Sequence, residues 1–99
     1  MGRKRQDYVE GNGASAGELS IIPELDLHAL TVDEAMPMIH EYLDDAFMTG
    51  MKEVRIVHGK GTGILRQAVM RELKRHPLVK SFRRGNRYEG STGATIVEL

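Results

Sequence analysis

Apolar residues recur along this chain with two different periods. Leu25-Asp26-Leu27-His28 alternates apolar and polar, the pattern of a half-buried strand; Leu25 and Leu27 would face a core, with Asp26 and His28 on the opposite side. Ile21-Ile22-Pro23 leads into it in an extended form, because Pro23 restricts Ile22 to the β or polyproline region. The period then lengthens. Val32, Ala35, Met36, Ile39, Leu43, Ala46 and Phe47 fall on one face of a helix that runs to about Met48 and stops at Gly50. Thr31-Val32-Asp33-Glu34 is a capping box that marks its start, and Pro37 lies close enough to that start to bend only the first turns. Lys52 to Val57 is a second strand. Ile64, Leu65, Ala68, Val69 and Leu73 form a second helical stripe, which the pattern begins at Gly61 or Thr62 and Pro77 ends. Val79 to Arg83 is a third strand, and Ala94 to Leu99 a last, strongly β-forming one. Residues 1–20 show no such period and are rich in Gly, Ser and Ala; they read as a flexible arm ahead of one domain over 21–99.

The order β-α-β-α-β-β predicts an α/β domain with a mixed four-stranded sheet. Strand-helix-strand units cross over right-handed and leave their strands parallel. The first three strands should therefore run together, and the last, joined by a short connection, against them. Three loops then meet at one edge: His28 to Thr31, His58 to Gly63, and Gly85 to Gly93. Ligands of open α/β sheets bind at such an edge, outside the carboxyl ends of the strands.

Composition narrows the class. Ninety-nine residues with 40% hydrophobic content make one small domain with a modest core. There is no cysteine, hence no disulfide framework and no thiolate metal site, which suits the cytoplasm. No apolar run approaches membrane-spanning length, and the basic start Met1-Gly2-Arg3-Lys4-Arg5 lacks the apolar segment of a signal peptide. The net charge of zero conceals a division: Leu25 to Gly50 holds six acids and no Lys or Arg, while Met51 to Tyr88 holds eleven Lys/Arg and two acids, a net of +9. Such a dipolar surface fits a polyanion on its basic side, or two oppositely charged helices attracting each other.

The densest chemistry is His58-Gly59-Lys60-Gly61-Thr62-Gly63. Alternate glycines bring backbone N–H groups close to a ligand, Lys60 adds a full charge, and the following helix adds the positive end of its dipole. This is more than a tight turn requires, and it is a candidate phosphate site. It is neither a Walker A loop nor the dinucleotide fingerprint, because the glycine spacing differs from both. His28 and His58 end the first two strands, where a proton could be moved, and Asp26 is placed to orient His28 or to act as base itself. Asp26, His28 and His58 also carry the donors for one divalent ion, magnesium or manganese, although nothing in the spacing requires it. His40 and His76 lie on helices without such company and read as structural; Met36, Met38, Met48 and Met51 read as gap-filling residues.

Leu25-Asp26-Leu27-His28 resembles the LDLHG motif of the Smr (small MutS-related) domain. His58 to Gly63 resembles its HGxGxG motif, and Gly90-Ser91-Thr92-Gly93-Ala94-Thr95 its glycine-rich third signature, usually closer to GGxGxT. Ala29 and Ser91 stand where the family pattern has glycine. The resemblance implies a two-layer α/β sandwich like the C-terminal domain of translation initiation factor three. It implies a nicking or structure-directed endonuclease acting on branched or duplex DNA or on RNA, in some relatives at stalled ribosomes. It also implies either a stand-alone member or the excised C-terminal domain of a MutS-type ATPase.

On that footing His28 is the first candidate for general base or acid, Asp26 orients it, and His58 is a second proton carrier or a phosphate contact. Gly59, Lys60, Gly61, Thr62, Gly63, Gly90 and Gly93 would hold the scissile phosphate, while Arg66, Arg83, Arg84 and Arg87 track its neighbours. The expected state is a monomer with no membrane partner. A non-catalytic module binding nucleic acid or a ribosomal surface, or an enzyme of small phosphate compounds, would carry a similar loop; the spread of Arg and Lys suits a polymer better than the last of these.

Overall fold

The computed structural model describes residues 22–99, so the arm read over 1–20 lies outside the described residues. The elements are β1 (Glu24–Asp26), α1 (Val32–Met48), β2 (Glu53–Val57), α2 (Ile64–Arg75), β3 (Ser81–Arg84), a 3-10 turn (Ser91–Gly93) and β4 (Ala94–Glu98). α1 starts at the capping box: Thr31 Oγ1 accepts the Glu34 N–H at 3.2 Å and Glu34 Oε1 accepts the Thr31 N–H at 2.9 Å. Pro37 lies inside the helix, which continues past it to Met48.

Strand ends shift by one or two residues from the sequence pattern, β3 running over Ser81–Arg84 where the pattern has Val79 to Arg83; two boundaries beside the loop edge differ for a local reason. β1 ends at Asp26, before His28, because the Asp26 carboxylate accepts the His28 N–H at 3.0 Å and turns the chain there. α2 starts at Ile64, later than Gly61 or Thr62, because Gly63 adopts φ 88° and a left-handed residue cannot continue a right-handed helix.

The sheet order is β1-β2-β4-β3. β1 and β2 are parallel, with Leu25 opposite Ile56, while β4 is antiparallel to both β2 and β3. The directions follow from the order of elements. The insertion of β4 between β2 and β3 has no signal in the hydrophobic pattern. Both crossovers step across the sheet the same way, so right-handed connections put both helices on one face. Leu27, Ile39, Leu43, Val54, Ile56, Val69, Leu73 and Val97 fill the space between the two layers. Each such side chain contributes about 1.5–3 kcal/mol by leaving water.

Charged pairs brace this frame. Glu72 on α2 is buried and meets His40 of α1 at 2.6 Å and Arg75 at 2.8 Å, tying the helices together. On the open face of the sheet, Ile96 of β4 lies in register between Arg55 and Arg83 and is buried. The two guanidinium heads reach Glu24 and Glu89, so their stems can lie along Ile96 while their charges stay in water. Among the described residues no helix is long and apolar enough to cross a membrane.

Candidate functional site

Three loops converge at the carboxyl ends of β1 and β2. The carbonyl of Gly93 accepts the N–H groups of His58 and Gly59, each at 3.0 Å, which ties the third loop to the second. Gly59, at φ 82°, lies against His28: a side chain there would start 3.4 Å from the His28 Cβ. The stem of Lys60 crosses Gly93 closely enough that a Cβ on Gly93 would come within 3.2 Å of it. Gly90, at φ 108°, has no room at all for a side chain, since its Cβ would meet that of Ala94 at 2.7 Å.

His28 and Asp26 are a formed pair. His28 Nδ1 donates to Asp26 Oδ1 at 2.6 Å, and the same oxygen accepts the His28 N–H. The carboxylate fixes the tautomer and leaves Nε2 facing outward with its lone pair when the ring is neutral. The His28 side chain is 65% exposed. The hydrogen bond and charge of Asp26 raise the His28 pKa above its ordinary value, and the same hydrogen bond lowers that of Asp26.

His58 is a different kind of residue. It is only 4% exposed. Its Nδ1 donates to the Gly59 carbonyl at 3.0 Å, so Nε2 accepts from the Thr95 hydroxyl at 2.9 Å. Burial lowers its pKa, with Arg66 adding to the effect against the opposing bond to Gly59. Both nitrogens are occupied and the ring is held neutral. This geometry suits a post that fixes the glycine loop to β4 better than a second proton carrier. Two of the quoted motifs thus meet in one hydrogen bond, the His of one and the final Thr of the other. The position of Thr95 in the third signature is the one sequence signal for that contact.

The glycine loop opens onto a cleft of about 160 Å³ lined by Ala29, Leu30, His58, Gly59, Gly61, Thr62, Gly63, Leu65 and Arg66. α2 points its N-terminus into it. No side chain caps that end at Gly63; Thr62 Oγ1 accepts only the Ile64 N–H, at 3.3 Å. Arg66 folds back over the same end, its guanidinium 3.6 Å from where a Gly63 Cβ would lie. A helix N-terminus, an Arg and the nearby Lys60 make the mouth electropositive, as an anion requires.

The other arginines separate. Arg83 is committed to Glu89 through two bonds, Nη1 to Oε1 at 2.7 Å and Nη2 to Oε2 at 3.0 Å, which lowers the Glu89 pKa to about 2. It braces the third loop. Arg84 and Arg87 make no ion pair among the described residues, nor do Lys60 and Arg66. Asn86, Tyr88 and Glu89 belong to this edge without having been singled out by the sequence; a lone acid within a run of bases was the available signal. Among the described residues no group of three or more His, Cys, Asp or Glu is placed to hold an ion: His58 turns inward to Thr95, away from Asp26 and His28.

Among the described residues, Ala29 and Ser91 are the two non-glycine residues with positive φ, at 67° and 54°. They are the same two positions that carry a side chain where the Smr pattern has glycine. A left-handed Ala costs about 1–2 kcal/mol, part of which a glycine returns as chain entropy in the unfolded state. Ala29→Gly should therefore raise the stability by about 0.5–1 kcal/mol. A urea midpoint that fails to rise would show that the loop is relaxed around Ala29.

Comparison with known proteins agrees with these motifs. A family model described as Smr domain matches residues 25–99. A protein named Endonuclease MutS2 from Caldicellulosiruptor saccharolyticus is 47% identical over 98 residues, 99% of this chain and 12% of the relative. Its namesake from Halalkalibacterium halodurans is 54% identical over 77 residues, 78% of this chain and 10% of the relative. The chain thus spans only about a tenth of the length of these curated relatives. Among solved structures, the Smr domain of Thermus thermophilus MutS2 superposes with a TM-score of 0.77 at 42% identity, covering 79% of this chain and 98% of that one. YdaL, a stand-alone small MutS-related protein from Escherichia coli, gives 0.73 at 29%, covering 77% and 63%.

Proposed function

This chain belongs to the Smr domain family, and from that premise we propose that it is an endonuclease domain that grips a nucleic-acid backbone at its loop edge and cleaves a phosphodiester there. The observation that carries the reading is the His28–Asp26 pair, which stands exposed beside the glycine loop with Nε2 turned outward. The relatives' shared name, Endonuclease MutS2, supports the same class of reaction.

In this reading the scissile phosphate sits at the mouth of the cleft. The open N–H groups of α2, Lys60 and Arg66 stabilise the charge that grows on the phosphoryl oxygens. His28 Nε2 removes a proton from the attacking oxygen, which is water on DNA and either water or the 2′-hydroxyl on RNA. Asp26 holds the ring in the required tautomer and stabilises the imidazolium that results. His58 keeps the loop in place. Arg84 and Arg87 follow neighbouring phosphates, and Arg83 acts through the loop that it braces. If an ion takes part, the donor set suits a magnesium-like ion held by one carboxylate and by substrate phosphates.

The test is direct: incubate the protein with labelled branched DNA and structured RNA, with and without magnesium or manganese, and analyse the ends of the products. Cleavage of either is expected. A 2′,3′-cyclic phosphate would identify attack by the 2′-hydroxyl, and binding without cleavage under every condition would leave a non-catalytic module in its place.

Binding itself should be electrostatic. Lys60→Ala and Arg66→Ala should each weaken binding across sequences and reduce the slope of log affinity against log salt by about one unit. Titrations at several salt concentrations check this, and a slope equal to wild type in both variants would remove these side chains from the interface.

A further inference from the structure

The third loop carries a feature that phosphate binding does not use. Tyr88 is 84% exposed, the most exposed of the large apolar side chains in the described chain. Exposed tyrosines are common at mobile tips, but this tip is braced. The Asn86 carbonyl accepts the N–H groups of Glu89 and Ser91, both at 2.9 Å. Asn86 Oδ1 accepts the Tyr88 N–H at 2.8 Å, and Glu89 Oε1 accepts the Asn86 N–H at 2.9 Å while its carboxylate holds Arg83. The Gly85 N–H reaches the Ala94 carbonyl at 3.0 Å. All this bonding holds the backbone and leaves the Arg87 and Tyr88 side chains projecting from it. The Arg87 guanidinium lies over the ring, 5.7 Å from its centre.

Resting on the nucleic-acid reading above, we propose that Tyr88 is a stacking platform for one unpaired nucleobase, with Arg87 at the adjoining phosphate, so that the domain favours strands with an unpaired nucleotide beside the cleavage site. A planar ring that is largely open to water, with a cation over one part of it, has the two features by which proteins hold single-stranded nucleic acid. A paired base has both faces stacked within the helix and offers none to the ring. The location fits: Tyr88 is five residues before Gly93, whose carbonyl holds the glycine loop, so it lies within about 18 Å of that point, a span of a few nucleotides. Charge also favours this occupant, because the same edge displays Arg84, Lys60 and Arg66. Of the other exposed apolar side chains, Phe47, Met48 and Met51 lie at the opposite end of the sheet, where α1 ends and β2 begins, while Ile64 starts α2.

Fluorescence anisotropy with a labelled single strand and a blunt duplex of the same sequence tests the proposal, using wild type, Tyr88→Ala, Tyr88→Leu and Tyr88→Phe. Circular dichroism confirms that each variant is folded. Ala and Leu should weaken single-strand binding about tenfold and duplex binding less than about twofold, with Phe close to wild type. Equal losses on both substrates, no loss on either, or a loss in Phe as large as in Ala would overturn it; the second result is also what a protein-docking role for Tyr88 would give. Wild type that binds neither substrate would overturn the nucleic-acid reading itself. Salt-dependent binding of both, unaffected by Tyr88→Ala, would overturn the stacking role alone.

Discussion

Replacing His28 with alanine should lower the cleavage rate by about 10²–10⁴-fold and leave the affinity for substrate nearly unchanged. In the proposed mechanism the imidazole contributes when a proton moves, whereas Lys60, Arg66 and the end of α2 hold the phosphate. Exposure of His28 makes the substitution structurally mild, so a lost rate cannot be a lost fold. The pH profile gives a second reading of the same group. The base must be neutral, and Asp26 raises its pKa, so the single-turnover rate should climb with pH through a midpoint above the ordinary histidine value of 6.5. Asp26→Asn removes the hydrogen-bonded charge. It should move that midpoint down toward the ordinary value, and lower the plateau because the ring is no longer oriented. A midpoint that stays in place would show that another group titrates, and full activity in His28→Ala would end the catalytic assignment.

The second large effect is on stability. His58→Ala should cost about 3 kcal/mol, since it empties a buried site and strands the Thr95 hydroxyl and the Gly59 carbonyl. Its sign with pH follows from linkage. Burial depresses the folded pKa of His58 below 6.5. Between these two values the unfolded chain binds a proton that the folded chain does not, so stability falls as pH drops through that window and levels off below the folded pKa. The variant should lack this component. His28, with its raised pKa, contributes the opposite sign: its stabilisation is complete below 6.5 and is lost as pH rises through the folded value. It is present in both proteins and cancels in the comparison. Urea titrations from pH 5 to 8 measure both effects; a variant as stable as wild type would mean that the glycine loop does not depend on this post.

What could be read from the chain was set by how local the cause was. α1 was legible at its start because Thr31 and Glu34 cap it within one turn. The Asp26–His28 pairing was legible because residues two apart on a strand share a face, although the same carboxylate also ends the strand early. The late start of α2 turns on one dihedral angle at Gly63, which glycine permits but does not announce. The burial of His58 depends on Thr95, 37 residues away, and the commitment of Arg83 on a carboxylate across a loop. Hydrophobic period carries no information about either. The same holds for the sheet order, where strand directions follow from the connections but the place of β4 depends on which edges meet.

That place of β4 has a consequence for how the domain comes into being. The strand latest in the sequence is an interior one, hydrogen-bonded to β2 on one side and β3 on the other. During synthesis the ribosome delivers β1, α1, β2, α2 and β3 first, and none of them can close the sheet. Until residues 94–98 emerge, β2 and β3 present bare edges, His58 has no Thr95 to bond, and the glycine loop lacks its anchor. The loop edge is therefore assembled in a single late step, when β4 supplies Thr95 and the Gly93 carbonyl takes the glycine-loop N–H groups. Contacts of such long sequence separation also slow folding, which leaves the chain without β4, with one bare edge on β2 and an unpaired β3, exposed to aggregation.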